Sequence, residues 1–503
     1  MQRLLKRIVI AGGGTAGWMT AAALSSMLDP RQVSVTLIES DEIGTIGVGE
    51  ATIPDILSFN RMLGLDEAAF MRATQATFKL GIEFRDWARK GDVYFHPFSV
   101  HGVDMKGIDF HQYWLRDRAE GAKYPIEDYS LCAIAGKLNR FTLPSPDPRT
   151  LLSYIRYAYH FDATLYARFL RQYAEARGVK RVEGKIQEVS QAPESGHITG
   201  LRLDGERTVE GDFFFDCTGF RGLLIAQTLG SPLVDWSHWL PCDSALAVPC
   251  AHGGPLTPYT RATARTAGWQ WRIPTQRRTG NGHIYCREFM SDDEATSILL
   301  ANLDGEALAA PRQIRFKAGR RETSWEKNCI AIGLSSGFLE PLESTSIYLI
   351  QEGISRFIAL FPDASLPEVV RGEYNRHMRQ EYEQVRDFII LHFAATERDD
   401  TPFWNHCRNM EIPDTLRHKI ALFREAGRVF RYEDELFSRP SWVAVLSGQR
   451  IVPAHCDPIV ATLPAEDIRS SLDSMRIAMN QAAGSMPTHE EFLRLYCQAD
   501  LAP

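Results

Sequence analysis

The sequence predicts an α/β protein: a doubly wound nucleotide-binding core with segments inserted between its strands, then a mostly α-helical C-terminal cap. Three observations predict it. The β-branched run Ile8-Val9-Ile10 leads through Gly12-Gly13-Gly14 into an apolar helix-forming stretch. Apolar strands ending in glycine recur far along the chain, at 212–219 and 329–333. After Leu366, apolar positions fall at helical spacing among many charges.

Each element has a physical reason. A run apolar on successive residues suits a strand buried on both faces of a parallel sheet. The helix that follows runs through Leu24, and a second buried strand, residues 33–38, ends at Glu39. That is β-α-β, the first unit of a doubly wound fold. Gly12-x-Gly14-x-x-Gly17 occupies the turn from strand to helix, the context in which this motif binds a dinucleotide. Its glycines permit the tight turn and close backbone approach to a pyrophosphate. Thr15 and Ala16 open the helix, whose first N–H groups are unpaired and carry partial positive charge. Glu39 stands where an acid accepts from the adenosine ribose hydroxyls. Gly47-Val48-Gly49-Glu50-Ala51-Thr52-Ile53-Pro54 is a second glycine-rich strap. The later strands end in glycine, as strands do where a cofactor approaches the backbone, so the core is discontinuous. Beyond Pro367 the prolines at 402, 413, 440, 453 and 464 punctuate several helices. Two units are expected, residues 1–365 and residues 366–503.

Composition narrows the function. At 503 residues, with 44% hydrophobic and 24% charged residues, the chain has the balance of a soluble globular protein. Its 56 basic against 63 acidic residues give no positive field for nucleic acid or an anionic membrane. No apolar run approaches the roughly 20 residues that span a bilayer, and no cleavable signal is evident. Nine scattered cysteines without a Cys-x-x-Cys pair read as reduced thiols of a cytoplasmic protein. His406-Cys407 and His455-Cys456 match no zinc spacing, so no metal is expected.

Four motifs carry more specific information: the N-terminal fingerprint with its strap, Thr77-Phe78-Lys79-Leu80-Gly81, Trp269-Gln270-Trp271-Arg272-Ile273-Pro274, and Gly337-Phe338-Leu339-Glu340-Pro341-Leu342-Glu343-Ser344-Thr345. Over at least residues 7–347 the chain resembles the flavin-dependent halogenases of the tryptophan-halogenase group. The resemblance implies an FAD-binding, aromatic-hydroxylase-like core, with the flavin held by Gly12, Gly14, Thr15, Ala16, Gly17 and Glu39, covered by the strap residues Gly49, Glu50, Ala51, Thr52 and Ile53, and met by Leu334 and Ile347. Leu334 replaces the aspartate that commonly follows glycine in the hydroxylases and holds the ribityl chain.

The resemblance further implies that reduced FAD, dioxygen and halide yield hypohalous acid, which reaches Lys79 and Glu343 for electrophilic substitution on an aromatic ring. Lys79 can act as an ammonium donor that polarises the halogen, or as an amine that forms a haloamine. Glu343 can stabilise the arenium cation, accept its proton, or hold the acid against Lys79; Glu340 is its neighbour in the motif. Thr345 and Ser346 match the residues whose N–H groups cradle the halide. His96 and Phe98 fall where relatives sandwich an indole. Trp269, Trp271, Ile273 and Pro274 match the family's Trp-x-Trp-x-Ile-Pro motif, which is expected either to wall substrate from the flavin or to pack the strand. The expected substrate is indole or another electron-rich aromatic. Free tryptophan is the alternative, because Tyr432, Glu433 and Trp442 match poorly the segment that closes on an amino acid. A flavin monooxygenase that hydroxylates the ring is the rival reaction. Chloride and bromide both remain open, bromide being the easier to oxidise. The chain has one dinucleotide fingerprint, and the resemblance implies a separate NAD(P)H-dependent flavin reductase as partner and a homodimer as the assembly.

Overall fold

The structure, a computed structural model, describes residues 4–42, 49–432 and 434–499. Gly47, Val48 and Glu433 of the sequence reading lie outside the described residues. Arg7–Ala11 is a central strand of a six-stranded sheet, pairing in parallel with Ser34–Glu39 on one side and Phe213–Asp216 on the other. Lys180–Glu183 adds to the first edge, and Cys329–Ala331 with Trp325–Glu326 to the second. The core is therefore assembled from distant segments, as the glycine-terminated strands indicate.

Alternate residues of these strands reach two different cores, which is why the runs are apolar at every position. Ile8, Ile10, Leu37, Phe213 and Phe215 face the main core, whereas Val9, Ala11, Ile38 and Phe214 face a smaller one. Helix Thr15–Met27 lies among Ala163–Glu175 and Ser346–Ala359. The smaller core is closed by the antiparallel sheet Ile186–Gln191, Ile198–Leu203 and Thr208–Glu210.

Two further sheets position the chemistry. A seven-stranded sheet carries Gly268–Pro274 near its centre and Val93–Pro97 at its edge. In a three-stranded sheet, Ala158–Asp162 pairs with both Gly49–Ala51 and Thr77–Lys79. The glycine-rich strap and Lys79 are thus fixed to opposite sides of one strand.

Every named element after Phe338 is helical. The longest, Glu368–Ala394, packs against Ser346–Ala359 and Arg439–Gly448. Arg439–Gly448 also lies against the edge strand Val93–Pro97. The chain then turns back to its N-terminal part: Tyr496 Oη donates to Glu67 at 2.8 Å, and Ala499 N to Gln276 Oε1 at 2.6 Å. Among the described residues no helix is long and apolar enough to cross a membrane.

Candidate active site

A large cavity runs from the glycine turn to the start of helix Ser346–Ala359. Gly14, Thr15, Ala16, Gly49, Glu50, Ala51, Trp269, Trp271, Ile273, Leu334, Ser346 and Ile347 all line it. Gly12 and Gly17 shape it without lining it. Gly12 has φ +108°, and a Cβ there would stand 2.3 Å from Cys217 O; a Cβ on Gly17 would stand 1.9 Å from Gly12 O. At Gly14 a Cβ would meet nothing within 4 Å, so the turn opens onto the cavity. Helix Thr15–Met27 has neither a side-chain cap nor an acidic residue in its first turn, leaving its N–H groups for an anion. A pyrophosphate at this turn and a flat ring against the apolar wall fit these residues. Glu39 does end its strand, but its carboxylate already accepts from Trp18 Nε1 at 3.2 Å and Arg181 Nε at 2.5 Å. A ribose hydroxyl would have to share it.

Lys79 is fully buried beyond this cavity. Its Nζ donates to Thr52 O at 2.9 Å and to Ser344 Oγ at 2.7 Å, and lies 5.0 Å from the centre of the Phe98 ring. Thr52 belongs to the strap and Ser344 lines the cavity, so the lysine is tied to both. Burial pulls the ammonium down to about 7, while the charge on Glu343 opposes that fall. Lys79 and Glu343 do not form a direct ion pair; Ser344, next to Glu343 in the chain, bridges the gap. Ser344 adopts φ +61°, a left-handed conformation at the end of the short helix Pro341–Glu343.

Glu340 and Glu343 are both fully buried yet ionise in opposite senses. Burial pushes the Glu340 carboxyl up to about 8, and hydrogen bonds from Trp269 and Cys242 recover only part of that. Trp269 Nε1 donates to Glu340 Oε2 at 2.7 Å. Burial pushes Glu343 the same way, but two histidines outweigh it and hold this carboxylate at about 2. His96 Nδ1 lies 2.9 Å from Oε2, and His392 Nε2 lies 2.8 Å from Oε1. The second contact is close but off the ideal hydrogen-bond direction. Facing an ionised carboxylate, both nitrogens carry protons.

His392, on helix Glu368–Ala394, had no place in the sequence reading. Its Nδ1 is 3.0 Å from Tyr94 Oη, and Gln449 Nε2 donates to Tyr94 Oη at 3.3 Å and to His392 O at 3.1 Å. Burial keeps the His392 ring neutral. With Nε2–H turned to Glu343, Nδ1 accepts from Tyr94, which fixes the tautomer. The C-terminal helices therefore reach the Glu343 carboxylate itself.

The segment expected to hold a halide has the required form. Thr345 is the N-cap of helix Ser346–Ala359, which has no side-chain cap and no acid in its first turn. Thr345 Oγ1 is buried without a protein partner. An anion fits there on chemical grounds. Trp269 and Trp271 point the same way from one strand, their ring centres 6.1 Å apart. Pro274 O accepts from Thr77 Oγ1 at 2.6 Å, joining that motif to the lysine strand. Ile53 is buried beside Thr52. Tyr432 and Trp442 pack over Lys419, at 4.4 and 4.8 Å from its Nζ. Away from the cavity, Glu352, His377 and Glu381 gather ligand-type atoms within 4.8 Å, but Arg356 Nε already donates to Glu352 at 2.6 Å.

Comparison with known proteins agrees with this geometry. The profile of the family described as tryptophan halogenase matches residues 7–465. The chain is 37% identical to the tryptophan 6-halogenase SttH of Streptomyces toxytricini, over 97% of each chain. It is 33% identical to the tryptophan 7-halogenase RebH of Lentzea aerocolonigenes, over 98% of this chain and 99% of that one. The fold superposes on Xcc4156, a flavin-dependent halogenase from Xanthomonas campestris, with a TM-score of 0.96 at 49% identity and full coverage of both chains. BrvH, a flavin-dependent halogenase from Brevundimonas sp. BAL3, gives 0.95 at 47% identity over 98% of this chain and 99% of that one. A cavity suited to a flavin, a buried lysine beyond it and a family match over most of the chain lead to one conclusion: this chain belongs to the tryptophan halogenase family and is an FAD-dependent halogenase of an aromatic substrate.

Proposed function

We propose that the protein halogenates indole, or an indole-bearing aromatic, with Lys79 and Glu343 as the catalytic residues. The observation that carries this reading is the burial of Lys79 against Ser344, a residue that also lines the cofactor cavity. Bound reduced FAD supplies, with dioxygen, the oxidising power that converts halide to hypohalous acid. The halide sits on the N–H groups of Thr345 and Ser346. Lys79 acts as an ammonium: two of its three N–H groups are spent on Thr52 O and Ser344 Oγ, and the third donates to the oxygen of the hypohalous acid. The aromatic carbon attacks the halogen, the carbon–halogen bond forms as the oxygen–halogen bond breaks, and the departing hydroxide takes the third Lys79 proton to leave as water. Glu343, held ionised by His96 and His392, stabilises the ring cation and accepts its proton. The ring lies by Phe98 and His96, and Trp269, Trp271, Ile273 and Pro274 keep it from the flavin.

Residues 366–503 act as the substrate cap. Reduced FAD comes from a separate NAD(P)H-dependent flavin reductase. The nine free cysteines support a reducing, cytoplasmic setting. The test supplies FAD, NADH, a flavin reductase, oxygen and bromide with catalase present, offers indole and free tryptophan separately, and analyses products by mass spectrometry. Brominated indole, with its isotope doublet, is the expected product. Brominated tryptophan alone would restore the amino-acid substrate, and an oxygenated ring without bromine would replace halogenation by hydroxylation.

A further inference from the structure

Lys79 ends the short strand Thr77–Lys79, which is an edge of its sheet. Ala158–Asp162 pairs with it on one side only, so the N–H that points the other way needs a partner from elsewhere. Phe78, which precedes Lys79, is fully buried, where an unpaired N–H is costly. Its acceptor is a histidine 411 residues along the chain: Phe78 N donates to His489 Nε2 at 3.2 Å, and His489 Nδ1 donates to Leu256 O at 2.8 Å. Burial keeps this ring neutral, at about 4, so one tautomer serves both contacts, with the proton on Nδ1 and Nε2 accepting.

The other flank of Lys79 leads to the same histidine. Leu80 N donates to Pro258 O at 2.8 Å. Leu256, two residues before Pro258, is held through its carbonyl by His489 and through its N–H by Glu490 Oε1 at 2.9 Å. Leu80 O accepts from Phe98 N at 3.0 Å, and the Phe98 ring lies 5.0 Å from Lys79 Nζ. His489 thus fixes the backbone on both sides of the lysine, directly at Phe78 and by way of Leu256 at Leu80. The histidine is itself firmly placed. It opens helix His489–Tyr496, where Thr488 N donates to Glu491 Oε2 at 2.9 Å and Glu491 N to Thr488 Oγ1 at 3.3 Å, a reciprocal cap. The Phe78 ring stacks on Phe141 at 3.9 Å and meets Phe492 of this helix edge-on at 5.5 Å. Among the described residues, none of this helix lines the cofactor cavity.

Resting on the assignment of Lys79 above, we propose that His489 is a positioning residue for the halogenation step: through this imidazole the C-terminal helix holds Lys79 at its distance from Ser344 and the aromatic ring. It governs the use of hypohalous acid and not its formation. An ammonium that must meet the acid while the ring attacks tolerates little displacement, since an error of about 1 Å costs on the order of 10²-fold.

The test compares His489→Leu, His489→Gln and His489→Asn, each loaded with reduced FAD and given oxygen and bromide. One sample holds indole, and another holds a freely diffusing 1,3-diketone trap for hypobromous acid. The glutamine carbonyl replaces Nε2 as acceptor for the Phe78 N–H, the asparagine amide replaces Nδ1 as donor to Leu256 O, and leucine replaces neither. Indole bromination should fall by about tenfold or more in His489→Leu and His489→Asn, while FAD affinity, flavin reoxidation and the brominated trap stay at parental levels. His489→Gln should restore indole bromination to within about threefold of the parent. Parental indole bromination in His489→Leu overturns the proposal, and so does a parallel loss of indole and trap products. Should His489→Leu fail to fold, the other two variants decide, and a glutamine variant no better than the asparagine variant removes the role. Lys79→Ala separates the two readings. Parental indole bromination there removes the Lys79 assignment and this role with it, whereas loss there without loss in His489→Leu removes this role alone.

Discussion

Glu343→Gln separates electrostatic catalysis from packing more cleanly than any other substitution in this site. Glu343 is ionised at neutral pH, since its carboxyl is held at about 2. The amide removes the negative charge at constant shape. It also disturbs the pairing: His96 donates to one carboxylate oxygen and His392 Nε2 faces the other at 2.8 Å, whereas an amide offers one oxygen and one NH₂. One histidine is then left facing a donor. Loss of a positioned base or charge costs roughly 10²–10³-fold, or about 2.7–4 kcal/mol of barrier. Glu340→Gln is the matched control. That carboxyl is pushed up to about 8 and is neutral at pH 7, so an amide that keeps the bond from Trp269 should leave bromination within about threefold of the parent. The assay is single-turnover bromination of indole after mixing reduced FAD-loaded protein with oxygenated bromide, with flavin reoxidation followed in parallel. A Glu343→Gln rate within tenfold of the parent, or a larger loss in Glu340→Gln than in Glu343→Gln, would refute the assignment of the charge to Glu343.

Three other outcomes follow from the same geometry. Lys79 is lowered to about 7, and the ammonium is the proposed donor, so bromination should be retained below that pH and decline as pH rises through it; a rate that climbs through pH 7 in a single-turnover pH profile would favour the amine and its haloamine instead. Tyr94→Phe removes the hydroxyl that fixes the His392 tautomer, so kcat should fall by about tenfold with little change in KM, whereas an unchanged kcat would show that His392 orients itself. Gly17→Ala places a methyl group 1.9 Å from the Gly12 carbonyl oxygen, so FAD affinity measured by fluorescence quenching should drop by at least about 100-fold, and retained affinity would show that the turn is not the flavin site.

Local sequence was enough for the core because its signals are local. Ile8-Val9-Ile10 reads as a doubly buried strand, and the glycines at 12, 14 and 17 mark one turn whose crowding the structure shows directly. The small sheet formed by residues 186–210 carried no such signal, because its outer positions, such as Gln187 and Glu188, are exposed and polar. Lys79 and Glu343, the proposed reacting pair, stand in motifs that the sequence displays. Their means of connection is not displayed. Ser344 stood in the quoted motif, yet only its φ of +61° turns its hydroxyl to Lys79. His392 sits 49 residues from Glu343 on a separate helix, and Tyr94 and Gln449 come from two further elements. No spacing encodes a contact made only when those elements pack. His96 was expected to stack on substrate, and the structure adds its contact with Glu343. Glu340, read as a neighbour, is the anchor of Trp269.

The central claim is that Lys79 activates the hypohalous acid for attack by the ring. It is tested most directly by Lys79→Ala, given reduced FAD, oxygen and bromide, with indole in one sample and a freely diffusing 1,3-diketone trap for hypobromous acid in another. The account predicts that brominated indole is lost while FAD stays bound and the brominated trap still appears. Indole bromination at the parent rate would contradict it.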